Sequence, residues 1–448
     1  MSDYRMKRGY DVPMLGRAEG PIVDAARPKR VGVRPTEFRF VKPKLMVKEG
    51  ETVSAGQPLF RDRKRAEIRV VAPAGGVVSE IRFGRRKVCQ EIFIDVAEQE
   101  PVVEHSTYSP DEARQLTRAQ IVEILLDSGL WPSLRRRPFS VIPDPERVPE
   151  AIFIGAADND PLPFDYSIAL AGREEDFQLG VDLLGKLTEG KVHACTLKGS
   201  VPGAISQARN CEKHTFSGPY PAGKIEAQIH YVLPHKKGRE VWYLDAQDCA
   251  DIGEVVRAGR YPVARVVAVA GEGAVRAQYF RTRRAVSAAH LDPDASPASN
   301  RFVSGGPLTG VRVSSDCGLG LYDCKFSVIP EGDHPEFVGW MLPGFHKLSR
   351  YRAYASAMMP TKAQHLDTNL GGGVRAHVAT GIYEDVCGMD ILPGYLMKSV
   401  LVEDFEESDS LGLADCAECG LCTHVCPSKI EFGEIISKGI VAHLREEA

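Results

Sequence analysis

The segment REEDFQLGVDLLGKLTEGKVHACTL, residues 173–197, decides the fold of the middle of the chain. Phe177 and Val181 stand four residues apart, and leucines continue the helical spacing, so this part predicts an amphipathic helix. KVHACTL at its end is typical of a strand, as is the uninterrupted apolar run AIFIGA, Ala151–Ala156. A strand, a helix and a second strand at this spacing predict an α/β unit with a parallel sheet, which we assign to residues 103–255.

The first hundred residues contain short strand-like segments separated by glycine turns. In LMVKEGETVSAGQPLFRDRKRAEIRVVAPAGGVVSEIRFG, residues 45–84, Gly50 and Gly56 supply turn conformations that other residues resist. The pattern resembles the flattened β-sandwich of lipoyl and biotinyl carrier domains. Lys64 lies in the region where those domains bear their modified lysine, but the residues that flank it in carrier motifs are missing. We therefore predict a carrier-like β-domain over residues 1–102 with a structural role, and carrier function is the alternative.

The second half of the chain returns to strand-like segments and then becomes helical. YPVARVVAVAG and AVRAQYFRTRRAVSAAHL predict a small β-rich or mixed domain, which we place at residues 256–345. YRAYASAMM and LPGYLMKSVLVEDFEE predict a helical C-terminal part over residues 346–448. The predicted fold class is thus multidomain, α/β plus α+β.

The composition and the start of the chain exclude several classes of function. The 56 basic and 60 acidic residues leave a formal net charge of −4, which provides no basic surface for a nucleic acid. MSDYRMKRGY, the first ten residues, is charged and lacks the apolar run of a secretory signal. No stretch reaches the roughly 18–20 apolar residues that span a bilayer. We therefore expect free or metal-bound thiols in a reducing cytosol, and membrane attachment only through partners.

Four of the eleven cysteines lie in CAECGLCTHVCPSK, residues 416–429, at the spacing C-x2-C-x2-C-x3-C followed by proline. Soft thiolates at this spacing are typical of a [4Fe–4S] cluster, whereas a zinc site or metal-free thiols are the alternatives. The candidate metal ligands are Cys416, Cys419, Cys422 and Cys426. In two-cluster ferredoxins the last cysteine of such a run binds the other cluster. Either Cys426 completes the same cluster or a remote cysteine does. The remote candidates are Cys317, Cys324 and Cys387.

Longer segments resemble the A subunits of the sodium-translocating NADH:quinone reductases. The similar segments occur in one order and extend over nearly the whole chain. They are AGREEDFQLGVDLLGKLTEGKV (171–192), FSGPYPAG (216–223), SVIPEGDHPEFVGWMLPGFHKLSRYRAY (327–354) and MDILPGYLMKSVLVED (389–404).

This resemblance implies a barrel-sandwich β-domain, a Rossmann-like α/β domain, a β-grasp type domain and a helical C-terminal part. It also implies a peripheral subunit on the cytoplasmic face of the bacterial inner membrane, with five other subunits as partners, some of them integral to the membrane. The complex oxidises NADH, reduces ubiquinone to ubiquinol and exports Na+. The resemblance assigns the flavins and the NADH site to partner subunits, and this subunit to the quinone-reducing end. It assigns no catalytic residue to this chain.

The cysteine run departs from the family pattern. Members keep the later part, L-C-T-x-V-C-P-x-K, which matches residues 421–429, and are not credited with a cluster in this subunit. Cys416 and Cys419 are additions. We therefore predict an added [4Fe–4S] cluster in this member, which acts either as a one-electron relay or as a structural support for the C-terminal helices.

Two alternatives to this function remain, and one loop is a candidate for ligand binding. The C subunit of Rnf-type electron transport complexes resembles this family but requires a glycine-rich flavin or nucleotide loop. The segment DSGLWPSLRRRPF, residues 127–139, keeps one glycine and contains a bulky Trp-Pro pair, which argues against that loop. Its arginines, residues 135–137, are predicted to be solvated or to face a partner.

The glycines Gly218 and Gly223 of FSGPYPAG are candidate cofactor-binding residues, with a tight turn as the alternative. A non-redox scaffold is the second alternative.

Overall fold

The computed structural model describes residues 2–236, 238–332, 337–345, 347–348, 350, 353–358 and 363–446. The strands are β1 (Ser2–Arg5), β2 (Val23–Asp24), β3 (Arg30–Val33), β4 (Pro43–Leu45), β5 (Thr52–Val53), β6 (Pro58–Asp62), β7 (Arg69–Val71), β8 (Gly76–Phe83), β9 (Cys89–Val96), β10 (Arg135–Arg137), β11 (Ala151–Ala156), β12 (Lys191–Leu197), β13 (Glu212–Ser217), β14 (Val241–Asp245), β15 (Ala264–Ala270), β16 (Tyr279–Arg283), β17 (Asn300–Ser304), β18 (Val311–Val313) and β19 (Lys325–Pro330). The α-helices are α1 (Pro110–Ala113), α2 (Arg118–Asp127), α3 (Tyr166–Ala169), α4 (Glu174–Leu184), α5 (Gly203–Gln207), α6 (Ile225–Val232), α7 (Ala246–Ala258), α8 (Ala288–Leu291), α9 (Ile382–Val386), α10 (Pro393–Leu401), α11 (Phe405–Ser410), α12 (Leu421–Val425) and α13 (Phe432–Glu446).

The N-terminal β-domain consists of two small antiparallel sheets that share one apolar core. Their strand orders are β3-β9-β8-β5 and β4-β6-β7. Gly50 and Gly56 have φ of +82° and +88°, which explains why glycine stands at these turns. Lys64 is exposed in the turn between β6 and β7, where a carrier domain would bear its lysine. The neighbouring Arg65 donates a hydrogen bond of 3.1 Å to the carbonyl oxygen of Ile142, so this turn is bound to the next domain.

The second domain is built on a six-stranded sheet of order β1-β13-β12-β11-β14-β10. Neighbouring strands are parallel except for β10, which pairs antiparallel with β14 at one edge. The predicted strand, helix and strand are confirmed as β11, α4 and β12. Helices α4 and α7 pack very closely, because a Cβ atom on Gly180 or on Gly253 would lie less than 3.0 Å from the backbone of the other helix.

A third, mixed sheet has the order β18-β17-β19-β15-β16-β2. Strand β15 pairs parallel with β19 and antiparallel with β16. A buried ionic network joins this part to helix α7, since Asp248 accepts hydrogen bonds from Arg265 at 2.8 Å and from Arg284 at 2.7 Å. The multidomain α/β architecture is thus confirmed, whereas the β-grasp type of this sheet stays a prediction.

The C-terminal part is helical only from α9 onward. Residue 346, at which we predicted it to begin, lies outside the described residues, as do residues 351, 352 and 359 of YRAYASAMM. The described residues of that segment form a short 3-10 helix, Ala355–Met358, and residues 363–381 contain no helix. Helix α13 packs against α10, where a Cβ on Gly439 would lie less than 3.0 Å from the side chain of Val400. In the part of the chain that the structure describes, no helix is both long and apolar enough to cross a membrane.

Candidate functional site

The cysteine run lies where the C-terminal helices meet. Cys416 and Cys419 stand in the loop before α12, and Cys422 lies in the first turn of that helix. Helix α9 packs against α12 and ends at Cys387, the residue that caps it. Gly420 begins α12 with a φ of +77°, and a Cβ there would collide with the backbone of Leu308. The fold therefore brings one remote cysteine to the run.

Burial and mutual repulsion raise the pKa of these thiols. Burial is the largest cause for Cys387, whose pKa is raised to about 12, and the charge of Cys419 contributes to the same effect. The pKa of Cys422 is raised well above its ordinary value by burial and then by the charges of Cys419, Cys387 and Cys416. Since charges interact strongly only at short range in a protein, Cys387 lies near the first three cysteines of the run. A metal that binds here would displace their protons.

Cys426 has different surroundings. Its side chain is fully buried among apolar residues that include Val425 and Phe432. Its Sγ lies 3.2 Å from Oη of Tyr383 and accepts a hydrogen bond of 3.3 Å from the backbone N–H of Ile430. The thiol of Cys426 is therefore held within an apolar cluster by two polar contacts.

The arrangement of the sulfurs does not distinguish between metals. No three cysteine sulfurs lie within 4.8 Å of one another in the described part of the chain. A tetrahedral zinc ion with Zn–S bonds of about 2.3 Å would therefore require the thiols to move to about 3.8 Å from one another. A [4Fe–4S] cluster binds each thiolate through a different iron, so its ligands stand farther apart. The [4Fe–4S] cluster stays a prediction, with zinc as the alternative.

Two arginines from the first and second domains hold the cysteine loop. Arg39 donates two hydrogen bonds, each of 2.7 Å, to the carboxylate of Glu418. Arg137 donates to the carbonyl oxygens of Ala414 at 2.6 Å and Cys416 at 3.2 Å. Charge-assisted and bidentate contacts of this kind fix orientation strongly. The loop is thus positioned by side chains from distant parts of the sequence.

The candidate loop FSGPYPAG lies beside the cysteines. The Oη of Tyr220 donates a hydrogen bond of 2.8 Å to the carbonyl oxygen of Cys419. Gly218 has a φ of +124°, and a Cβ on Gly218 or Gly223 would lie less than 3.0 Å from neighbouring backbone atoms. Both glycines therefore permit close backbone packing, and their role in binding a cofactor stays a prediction.

The arginine run contradicts its prediction. Arg135 lies between the rings of Tyr243 and Tyr322, with its guanidinium carbon 4.6 Å from each ring centre. The side chain of Arg137 is buried against the C-terminal loop. The expectation that this run is solvated or faces a partner is therefore wrong for these two residues, because aromatic rings and carbonyl groups of the same chain surround them.

The bulky Trp-Pro pair that follows Gly129 is buried in the structure. Trp131 is fully buried and donates a hydrogen bond of 3.0 Å from its indole nitrogen to the carbonyl oxygen of Pro143. Gly129 has a φ of +75°, and a Cβ there would collide with the side chain of Val71 in the first domain. The contact with the first domain leaves little room for a phosphate at this turn.

Beside this loop, a cleft of about 530 Å³ opens between the first, second and third parts of the chain. Much of this space is open to solvent. Glu37 is one of the acidic residues that line the cleft, and burial raises the pKa of its carboxyl group to about 8 despite the nearby charge of Arg34. This carboxyl group is thus protonated at neutral pH. The apolar lining includes Val33, Phe38, Val71, Pro132, Leu319 and Leu321.

Two histidines form a separate cluster at the edge of the second domain's sheet. The Nδ1 atom of His193 lies 2.9 Å from Nε2 of His214, and Glu212 brings a carboxylate near both. His193 stacks on Phe153 with ring centres 4.5 Å apart. Burial, and then the charge of His214, lowers the pKa of His193 to about 4. These two nitrogens thus satisfy each other, whereas Nδ1 of His214 is buried without a hydrogen-bond partner among the described residues.

Two family models match the chain. The NqrA N-terminal barrel-sandwich hybrid domain matches residues 4–97, and the NqrA second alpha/beta domain matches residues 116–261. These ranges contain the two small sheets of the N-terminal domain and most strands of the second sheet.

The A subunits of several Na(+)-translocating NADH-quinone reductases are similar along nearly their whole length. The protein from Hahella chejuensis is 37% identical over 96% of this chain and 97% of its own. That of Yersinia pestis bv. Antiqua is 36% identical over 99% of each chain, and that of Neisseria meningitidis serogroup C is 35% identical over 97% and 98%. Among solved structures, an NAD+-reducing [NiFe]-hydrogenase in the H2-reduced state covers 76% of this chain and 64% of its own. Its 14% identity and TM-score of 0.37 are too low to support an argument.

Proposed function

Because the chain belongs to the family formed by the A subunits of Na(+)-translocating NADH-quinone reductases, we propose that it is a peripheral subunit of a membrane complex. This complex oxidises NADH, reduces ubiquinone to ubiquinol and exports Na+. The observation that carries the proposal is the 35–37% identity over 96–99% of the chain. Five further subunits, some of them integral to the membrane, hold the NADH site and the flavins, and this chain sits on the cytoplasmic face of the bacterial inner membrane.

Removal of this chain from its host tests the proposal. Membranes of the deletion strain should lose NADH:ubiquinone reduction and NADH-driven Na+ transport. They should still reduce the artificial acceptor ferricyanide with NADH, because the NADH site lies in a partner subunit. Re-expression of the wild-type chain is the control. Unchanged quinone reduction would contradict the proposed function, and loss of ferricyanide reduction would contradict the assignment of the NADH site.

The cleft beside Gly129 supports a place for this chain at the quinone-reducing end. Its apolar walls suit an aromatic ring with a hydrocarbon tail. Reduction of a quinone to a quinol requires two electrons and two protons, and the protonated carboxyl group of Glu37 is a suitable proton donor at neutral pH. The charge of Arg34 would then stabilise the carboxylate that remains after the transfer.

A surface in the C-terminal half supports attachment to a membrane subunit. Of the 21 large apolar side chains that are exposed in the described part of the chain, 12 lie within residues 337–402. They include Tyr395 and Val402 at either end of α10, which are 61% and 74% exposed. Such a concentration is typical of an interaction surface. We refer to these twelve exposed residues as the apolar segment and take an integral subunit of the complex as its partner.

The cysteine group supports an added [4Fe–4S] centre in this member of the family. It provides thiolates, the ligands of such clusters, and the sequence spacing C-x2-C-x2-C is typical of [4Fe–4S] sites. The centre would carry one electron at a time between redox groups. Two of its cysteines, Cys416 and Cys422, are only partly buried, which suits exchange of electrons with a partner. A purified, oxygen-free chain without iron and sulfide would contradict this part of the proposal.

A further inference from the structure

We infer that Cys387, rather than Cys426, completes the ligand set begun by the C-x2-C-x2-C run. The inference rests on the proposed [4Fe–4S] centre and names its fourth ligand. The spacing of the run does not provide this assignment, because Cys387 lies well before Cys416 in the chain and belongs to a different helix.

The packing of the helices places Cys387 opposite the run. Cys387 is 4% exposed and directly follows α9, which packs against the helix that carries Cys422. It shares an apolar cluster with Cys416 and Ala417, at the other end of the run. Cys387 thus lies near both the helix of Cys422 and the side chain of Cys416. From this position its thiol could bind a cluster that the run also binds.

The contacts of Cys426 argue against its use as the ligand. Its thiol packs in the apolar cluster of Cys419 and Cys422, but it already contacts Oη of Tyr383 and the backbone N–H of Ile430. Rotation of this thiol toward the run would break both contacts and disturb a fully buried side chain. By contrast, the Cys387 thiol makes one weak contact, of 3.6 Å, to the carbonyl oxygen of Met389.

The second domain holds the backbone on both sides of the inferred centre. The Oη of Tyr231 donates a hydrogen bond of 2.9 Å to the carbonyl oxygen of Gly388, next to Cys387. The Oη of Tyr220 makes the corresponding bond of 2.8 Å to Cys419. The backbone N–H of Glu418 points at the sulfur of Cys416 from 3.4 Å, a contact that would stabilise a thiolate. The ligands are thus fixed before a metal binds.

Paired alanine substitutions test the inference. The full chain is purified without oxygen as wild type, Cys387→Ala and Cys426→Ala, and iron and acid-labile sulfide are measured for each. EPR spectra are recorded after reduction with dithionite. We expect about four irons and four sulfides in the wild type and in Cys426→Ala, both with the signal of a reduced [4Fe–4S] cluster. We expect Cys387→Ala to lose at least one iron per chain together with that signal.

Two further measurements separate loss of the cluster from loss of the fold. Circular dichroism and thermal unfolding show whether each variant folds, and Cys387→Ser replaces Cys387→Ala if the latter does not. A wild type that lacks iron, or holds zinc, contradicts the proposed centre and with it the inference. A wild type with four irons whose cluster survives Cys387→Ala but is lost in Cys426→Ala contradicts the inference alone.

Discussion

Glu37 illustrates how tertiary burial changes the chemistry of one side chain. Its carboxyl group accepts a hydrogen bond from the backbone N–H of Leu321, which comes from a distant part of the chain. Burial raises its pKa from 4.5 to about 8, although the charge of Arg34 and this hydrogen bond act in the opposite direction. The folded state therefore binds a proton at neutral pH that the unfolded state releases.

The substitution Glu37→Gln should flatten the dependence of stability on pH. The wild type loses free energy of unfolding as the pH rises from 4.5 to about 8, because only the folded state keeps the proton in this range. The loss should amount to roughly a few kcal/mol. Glutamine mimics the protonated form and does not titrate. Urea unfolding at pH 5, 7 and 9 measures the difference.

The exposed residue Glu123 on α2 provides the matched control. Glu123→Gln should leave the wild-type pH profile unchanged, because its side chain is in water in both states. Parallel pH profiles for Glu37→Gln and the wild type would show that Glu37 is not protonated in the folded state.

The same substitution should slow quinone reduction. Glutamine cannot supply a proton, so NADH:ubiquinone activity of the complex should fall about tenfold or more. Reduction of ferricyanide by NADH should be unchanged, as should both activities in Glu123→Gln. If the Glu37→Gln complex reduces ubiquinone at the wild-type rate, Glu37 is not the proton donor.

The contact between α4 and α7 depends on glycines, whose missing side chains let the two helices approach closely. The helical spacing of Phe177 and Val181 predicts α4 correctly, and both side chains are fully buried. The spacing does not indicate which helix packs on it. That contact depends on Gly180 and Gly253, where the absence of a side chain lets two backbones meet. Since glycine weakens a helix, its presence at both positions has a packing reason.

The substitution Gly180→Ala should destabilise the chain. Alanine would improve the helix propensity by about 1 kcal/mol, but its Cβ would collide with the backbone of Cys249. We expect a net loss of about 1–3 kcal/mol, typical of an overpacked core, measured as the free energy of urea unfolding. Gly185→Ala, at the end of the same helix, is the control, since the nearest atom there would be 3.5 Å away. Equal stabilities of the two variants would contradict this account.

In the whole molecule, segments near the two ends of the chain pack against the domains between them. N-terminal strands extend two of the sheets, and the C-terminal loop is bound by arginines of the first and second domains. Strand β1 forms an edge of the second sheet and β2 an edge of the third, although in sequence both precede β3–β9, the strands of the two small N-terminal sheets. The C-terminal loop is in turn held by Arg39 and Arg137. Most of the exposed large apolar side chains of the described residues, 12 of 21, belong to the apolar segment.

A charge on the apolar segment should weaken assembly. Val402→Asp would bury a carboxylate in the interface with the membrane subunit, so the amount of chain retained on washed membranes should fall roughly tenfold or more. Val275→Asp, at a residue that is 62% exposed outside this segment, should be retained like the wild type. Both variants should unfold at the wild-type temperature. If the Val402→Asp chain is fully retained on washed membranes, Val402 does not contribute to the contact with the membrane subunit.

The local elements and the family follow from the amino-acid sequence. Apolar periodicity and glycine turns arise from interactions between near neighbours, so α4, β11 and β12 could be predicted without a structure. The contacts between distant side chains, in contrast, appear only in the folded chain. The enclosure of Arg135 by two tyrosines, the raised pKa of Glu37 and the approach of Cys387 to the cysteine run depend on contacts between residues far apart in sequence. Those contacts are set by the packing of the whole chain, which no local pattern records.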